Sequence, residues 1–333
     1  MHISELPTPA VVIDRDALRR NITAMAAVHP GARLRPHVKA HKCTSLAREQ
    51  YLAGHRSFTC ATPNEVLGMV RANVGDDLLL ANEVLDIDRL RALAHAQEST
   101  RITVAVDSDT TVEAAAMAGL SDVVIDVNVG LPRCGCAPSD AGRLAERARA
   151  YGMNVRGVMG YEGHLMMVTD RVEKQRQVHA AMSTLAAAAH VVGGDVISAG
   201  GTGTFDMFAD TEVNEVQAGS YALMDTQYAT LELPFEQAMW VVGTVISAND
   251  QWKVIDVGLK SLGMDHGNPS ITYGSVWFCS DEHITFSGTT ARVGDRVRVT
   301  PAHIDPTMAM HSVAYVIHND TVIDTWPIDL RGW

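Results

Sequence analysis

The sequence has no surplus of positive charge; its formal net charge is −12 over 333 residues. Nucleic acids and anionic membrane surfaces need clustered basic side chains, so neither is an expected partner. No apolar run approaches the length that spans a bilayer. The five cysteines, at 43, 60, 134, 136 and 279, form no C-x-x-C pair, and an odd count does not suit a disulfide framework. Free thiols in a reducing compartment are expected instead. The opening Met-His-Ile-Ser-Glu-Leu-Pro also lacks the basic-then-apolar layout of a secretion signal, so a cytoplasmic location is the expectation. Cys134-x-Cys136 suits either a metal or redox pair, or a buried and inert one. Internal repeats and low-complexity linkers are absent too.

What is present is ordinary globular material: 47% hydrophobic and 20% charged residues, in a chain long enough for one large domain and a smaller one. Short apolar runs recur at 34–38, 58–61, 77–80, 102–106, 123–129, 155–159, 196–199 and 215–218, with helical patterns between most of them. Thr44, Asn64 and Asp140 are placed to cap three of those helices. The segment 170–190 reads as one helix, with Val172, Val178, Met182 and Leu185 on one side. Eight strands alternating with helices predict an α/β fold, a (β/α)8 TIM-type barrel. A doubly wound sheet is the alternative, but no G-x-G-x-x-G follows the first strand.

After residue 235 the pattern changes to strands with turn signals between them, at 239–246, 252–257, 271–279, 296–300, 312–317 and 321–326. This predicts a C-terminal antiparallel β domain. The expected division is 1–20 as a segment packing with the β domain, 21–234 as the barrel, and 235–333 as the β domain.

The most informative stretch is Leu34-Arg-Pro-His-Val-Lys-Ala-His-Lys42. If extended, it puts Arg35, His37 and Lys39 on one face. Unpaired charges inside a barrel cost roughly several kcal/mol, so an anion is expected there. A phosphorylated aldehyde held as a Schiff base on Lys39 meets that need; an edge strand with solvated cations is the competing reading. In a barrel the chemistry gathers at the C-terminal strand ends. Those ends carry Lys39, Glu65, Asn82-Glu83, Asp126 to Arg133, Tyr161-Glu162-Gly163-His164, Gly200 to Thr204, and Gly219-Ser220-Tyr221. Gly201, Thr202 and Gly203 suit a phosphate cradle of backbone N–H groups, and Gly219-Ser220-Tyr221 a second. Arg133 suits a contact to a cofactor ring or a structural salt bridge. His164 is a candidate general base or an ordinary loop histidine.

A second site is Pro301-Ala-His303-Ile-Asp305-Pro-Thr307. In an extended segment His303 and Asp305 point the same way and can share one metal ion. Nitrogen with oxygen donors suits Mn²⁺, Mg²⁺, Zn²⁺ or Co²⁺.

Together these motifs resemble the D-threonine aldolase and D-serine dehydratase family, fold-type III pyridoxal 5'-phosphate enzymes related to alanine racemase. The resemblance runs over nearly the whole chain. It includes Thr8-Pro9-Ala10, residues 35–42, Tyr161 to His164, Gln217 to Tyr221 with Asp225, and 256–260. It ends with His303-x-Asp305-Pro-Thr307 and residues 326–332. It implies that Lys39 carries the cofactor and that His37, Arg133, Tyr161 and the two glycine loops bind it. It also implies that His164 deprotonates the substrate β-hydroxyl, that His303 and Asp305 hold the divalent metal, Mn²⁺ in the first place, and that the chain forms a homodimer. Dehydratases of the group generally carry H-x-C with zinc, whereas aldolases resemble H-x-D. Asp305 therefore points to aldol cleavage of a D-configured β-hydroxy-α-amino acid. A D-serine or D-3-hydroxyaspartate dehydratase is the first alternative, and a non-catalytic pyridoxal-phosphate carrier the second.

Overall fold

The computed structural model describes all 333 residues, Met1–Trp333. Strand β1 (Ala10–Asp14) and helix α1 (Arg15–Val28) come first. Then follow α2 (Thr44–Leu52), β2 (Ser57–Cys60), α3 (Pro63–Arg71), β3 (Asp77–Leu80), α4 (Ile87–Ala96), β4 (Arg101–Val106), α5 (Asp109–Ala118), β5 (Asp122–Asp126), α6 (Ala141–Ala150), β6 (Asn154–Met159), α7 (Arg171–Val192), β7 (Val196–Ala199) and β8 (Glu215–Val216). The remainder is β9 (Met239–Ala248), β10 (Lys253–Ile255), β11 (Ser270–Ile271), β12 (Ser275–Cys279), β13 (Ile284–Ser287), β14 (Arg296–Thr300), α8 (Ile304–Met310), β15 (Val313–His318) and β16 (Thr321–Pro327). They divide into a β unit (Met1–Ala24, Ala40–Leu46, Ser220–Arg331) and a barrel unit (Met25–Lys39, Ala47–Gly219, Gly332–Trp333). No helix is long and apolar enough to cross a membrane.

In the barrel unit, β2 to β8 form one parallel sheet in sequence order. Residues 34–37 bridge both of its edges in parallel, Leu34 to Val216 and His37 to Thr59. The fold is a (β/α)8-type barrel with seven regular strands. The expected first strand is reduced to isolated bridges because Pro36 has no N–H to donate and residues 38–40 turn into a 3-10 helix. Leu79, Ala105, Val124 and Met159, one each from β3 to β6, fill the interior together.

Lys39 does not continue the expected common face with Arg35 and His37, because residues 38–40 turn into a 3-10 helix. Arg35 is fully buried at the N-terminal end of the barrel, where its guanidinium meets Glu215 at 2.8 Å and Asp77 at 3.1 Å. Arg156 joins the same Asp77 at 2.7 Å and donates to Thr103. The anion that Arg35 requires is supplied by the chain's own carboxylates. Burial pushes the Asp77 carboxyl up, but the two guanidiniums outweigh it and hold it at about 2.

In the β unit, the sheet runs β12-β13-β10-β9-β1-β15-β16, with β14 paired to β9 and β11. The N-terminal β1 is an internal strand, antiparallel to β9 (Ile13 opposite Met239) and parallel to β15 (Val12 opposite Tyr315). Ile3, Leu6, Ala10, Val12, Val242 and Ile317 form its core.

Several local expectations are corrected. Thr62, not Asn64, caps α3, because its hydroxyl accepts the Glu65 N–H ahead of Pro63. Asp140 makes no side-chain cap on α6. Val172 lies on the solvent side of α7, 83% exposed. The run 271–279 is two strands, β11 and β12, and β13 was not foreseen. The late strands do not lack a helix: α8 begins directly after His303.

Candidate functional site

In the barrel unit, Lys39 sits in the 3-10 turn Val38–Ala40, immediately past the 34–37 segment and so at the C-terminal rim. Its backbone N–H donates to Nδ1 of His37 at 3.4 Å. Both side chains are half-buried. The loops after β5, β6 and β7 meet on this rim. The Arg133 guanidinium carbon lies 5.2 Å from the centre of the Tyr161 ring, a cation–π distance. Gly130, at φ +125°, leaves room for the His164 imidazole, since a Cβ there would lie 2.9 Å from its Cε1. A Cβ at Gly201 would lie 3.4 Å from the Tyr161 ring. Arg133, Tyr161, His164 and Gly201 are thus brought into one neighbourhood, with His164 exposed and Gly201, Thr202 and Gly203 buried.

Two residues that sequence reasoning gave no role hold the 200–204 loop. Glu162, wholly buried, accepts the Thr204 hydroxyl at 2.6 Å and the Gly200 N–H at 3.2 Å. Burial raises its pKa, against the lowering effect of those bonds. Lys174, on α7, is 3% exposed and donates Nζ to the carbonyls of Met166 and Gly203, both at 2.8 Å. Glu162 stood inside the Tyr-Glu-Gly-His motif, whereas nothing in the α7 pattern marked Lys174.

A further acidic group lies on the same rim. Asp126, at the end of β5, is pushed up to about 8 by burial and by the neighbouring Glu83. Cys134 rises to about 12 through its hydrogen bond to Glu83 and burial, and Cys136 to about 12 through burial. Both shifts disfavour the thiolate that metal binding or redox chemistry would use.

Gly219 ends the barrel unit, and Ser220 and Tyr221 open the β unit in a 3-10 turn, Ser220–Ala222. Tyr221 is fully buried with its ring 5.5 Å from that of Phe235.

In the β unit, His303 and Asp305 do not share an extended segment. His303 is the extended N-cap residue of α8 and Asp305 lies in that helix's first turn. Their side chains nevertheless face each other, His303 Nε2 lying 3.9 Å from Asp305 Oδ1. Metal–nitrogen and metal–oxygen bonds of about 2.0–2.2 Å each span such a gap, so this pair fits one divalent ion. The buried Asp225 accepts the N–H of Ile304, between the two donors, at 3.2 Å. On the far side, His303 Nδ1 lies 2.7 Å from Asp265 Oδ2, and the His266 ring stacks on that of His303 at 3.9 Å and 12°.

The sequence profile described as "Alanine racemase, N-terminal domain" matches residues 13–227. This chain belongs to that family. A second profile, "Putative serine dehydratase domain", matches residues 238–317 of this alanine racemase-family member. A D-threonine aldolase of Arthrobacter sp is 33% identical over 99% of this chain and 94% of its own length. A D-threo-3-hydroxyaspartate dehydratase of Delftia sp. (strain HT23) is 27% identical over 98% of each. The crystal structure of a D-threonine aldolase from Filomicrobium marinum superposes with a TM-score of 0.92 at 31% identity, covering 98% of this chain and 96% of that one.

Proposed function

We propose that this enzyme is a pyridoxal-phosphate- and divalent-metal-dependent aldolase. Its substrates are D-configured β-hydroxy-α-amino acids, and its products are glycine and an aldehyde. The observation that carries this reading is the donor set at 303 and 305. An imidazole nitrogen and a carboxylate oxygen 3.9 Å apart favour a hard or borderline ion such as Mn²⁺, Mg²⁺, Co²⁺ or Zn²⁺ over the softer chemistry of a thiolate. The 33% identity to a D-threonine aldolase supports it.

Lys39 offers the amine that attaches the cofactor. The buried loop 200–204 and Gly219 would receive the phosphate through backbone N–H groups and hydroxyls, while His37, Arg133 and Tyr161 would fix the ring; Ser220 and Tyr221 are phosphate ligands by resemblance. When bound, the cofactor supplies an electron sink for charge left on the substrate α-carbon. His303 Nε2 and Asp305 Oδ1 would hold the ion, which supplies Lewis-acid polarisation of a bound oxygen. His164, exposed and seated over Gly130, takes the β-hydroxyl proton on an imidazole nitrogen as the Cα–Cβ bond breaks.

The test is product analysis with D-threonine, D-3-hydroxyaspartate and D-serine, with and without Mn²⁺. Glycine plus an aldehyde is expected. Pyruvate or oxaloacetate with ammonia would establish instead the dehydratase reading, which the second profile match favours. Cofactor binding without turnover of any substrate would leave a carrier.

The protein is further read as a cytoplasmic homodimer. Its five cysteines are all free thiols, which suits a reducing compartment. Tyr273, Trp277 and Phe278, in or beside β12 of the β unit, are each exposed large apolar side chains, the residue type that association surfaces bury. Sedimentation at micromolar concentration checks the dimer.

A further inference from the structure

The metal pair of the β unit has a neighbour that neither sequence motif nor family profile assigns. The loop 263–266 runs against the start of α8. Gly263 and His303 form an antiparallel bridge, and the Gly263 N–H donates to the Thr307 hydroxyl at 2.9 Å. Only glycine permits this approach, because a Cβ there would lie 2.3 Å from Pro306 and 2.9 Å from the His303 carbonyl. Two and three residues from that anchor, Asp265 and His266 reach the His303 ring.

Asp265, His266 and His303 have donor atoms within 4.8 Å of one another, which on distance alone suggests a three-ligand metal cluster. Ring geometry argues otherwise. The two imidazoles are stacked at 3.9 Å and 12°, so their in-plane lone pairs lie in separate, nearly parallel planes and do not converge on one ion. His303 Nδ1 is already at hydrogen-bond distance from Asp265 Oδ2, 2.7 Å. A carboxylate only accepts, so Nδ1 carries the hydrogen and Nε2 presents its lone pair. Nε2 is the nitrogen that faces Asp305.

We propose that Asp265 is a positioning residue for the metal site: by accepting Nδ1–H of His303 it fixes the tautomer and ring plane that present Nε2 to the ion, with the His266 ring stacked as a side wall. This rests on reading His303 and Asp305 as the ligands. A carboxylate behind a ligating imidazole raises the ligand's basicity, and removing such a partner typically costs 10–100-fold in metal affinity.

The experiment is a Mn²⁺ titration of chelator-stripped, cofactor-loaded protein, with free Mn²⁺ read by electron paramagnetic resonance. The Asp265 side chain is 54% exposed, so Asp265→Ala should fold, as circular dichroism and an unchanged cofactor absorbance will verify. The expected result is one ion per chain in the wild type, binding about 10–100-fold weaker in Asp265→Ala, and none in His303→Ala. If His303→Ala loses the ion while Asp265→Ala binds as tightly as wild type, the positioning role is overturned and the ligand reading stands. If His303→Ala binds as tightly as wild type, both are overturned. A second ion per chain that disappears in Asp265→Ala, with the first unaffected, would overturn the proposal in favour of the three-donor cluster.

Discussion

The Glu162 carboxylate and the Thr204 hydroxyl meet at 2.6 Å inside the barrel unit, closing the glycine-rich loop from beneath. With the Gly200 N–H on the other oxygen and Lys174 on the Gly203 carbonyl, the loop is held by two buried charged side chains. Glu162→Ala leaves a buried hydroxyl and an amide without their acceptor, a loss of about 1–3 kcal/mol. If the loop receives the cofactor phosphate, affinity for pyridoxal phosphate should fall by roughly 5- to 150-fold, the equivalent of that energy. Fluorescence titration of the apoprotein measures it. Unchanged affinity in a folded variant would detach this loop from cofactor binding.

Lys39→Ala should abolish the visible Schiff-base absorbance and all turnover together. EDTA should abolish activity while leaving that absorbance in place, because the proposed metal donors and the lysine belong to separate structural units. Loss of the band on chelation would contradict the assignment of the two groups.

The buried pairing of Arg35 with Asp77 and Glu215 predicts a stability effect remote from the rim. Asp77→Asn leaves Arg35 and Arg156 short of an anion and should cost about 3–5 kcal/mol at neutral pH. The sign follows from the depressed carboxyl, held at about 2. Its contribution is full above the unfolded value near 3.9 and disappears as pH falls through about 2. The gap in Tm between wild type and variant should therefore be wide at pH 7 and narrow progressively below pH 4.

Asp126 works in the opposite direction. Its folded pKa is raised to about 8 by burial and by Glu83, so the folded form keeps a proton that the unfolded chain releases near pH 4. Stability from this group is full below about pH 4 and is lost as pH rises toward 8. Asp107, Arg133, Cys134 and Glu83 surround it and titrate or bear charge in its field. Asp126→Asn should flatten the fall in Tm between pH 5 and 8; an unchanged slope would show that Asp126 ionises normally.

Much of this architecture was legible because the barrel repeats one rule. Apolar runs at β3 to β7 are bounded by polar turns, and their ends carry the reactive side chains. What was not legible depended on partners distant in the chain. Sequence alone gives Arg35 no anion of its own because Asp77 and Glu215 are 42 and 180 residues away, and only the fold joins them. The 34–38 run looked like a strand by composition, yet Pro36 and the turn at Lys39 left it two bridges. His303 and Asp305 were paired by an alternation argument that α8 invalidates; they face each other because an N-cap and a first-turn residue project to the same side. Asp265, in an irregular loop with no periodicity, gave no sequence signal at all.

Strand β1 has a bearing on biosynthesis. It is made well before either of its neighbours in the sheet, since β9 and β15 lie more than 220 residues downstream. At about 5–20 residues per second, the stretch up to β9 takes roughly 11–45 s to make. Throughout that interval Ala10-Val-Val-Ile13 is an apolar ribbon with nothing to pair to, while the barrel sequence is translated behind it. The nascent chain is thus exposed to chaperone capture or misassociation at β1 until β9 has been made.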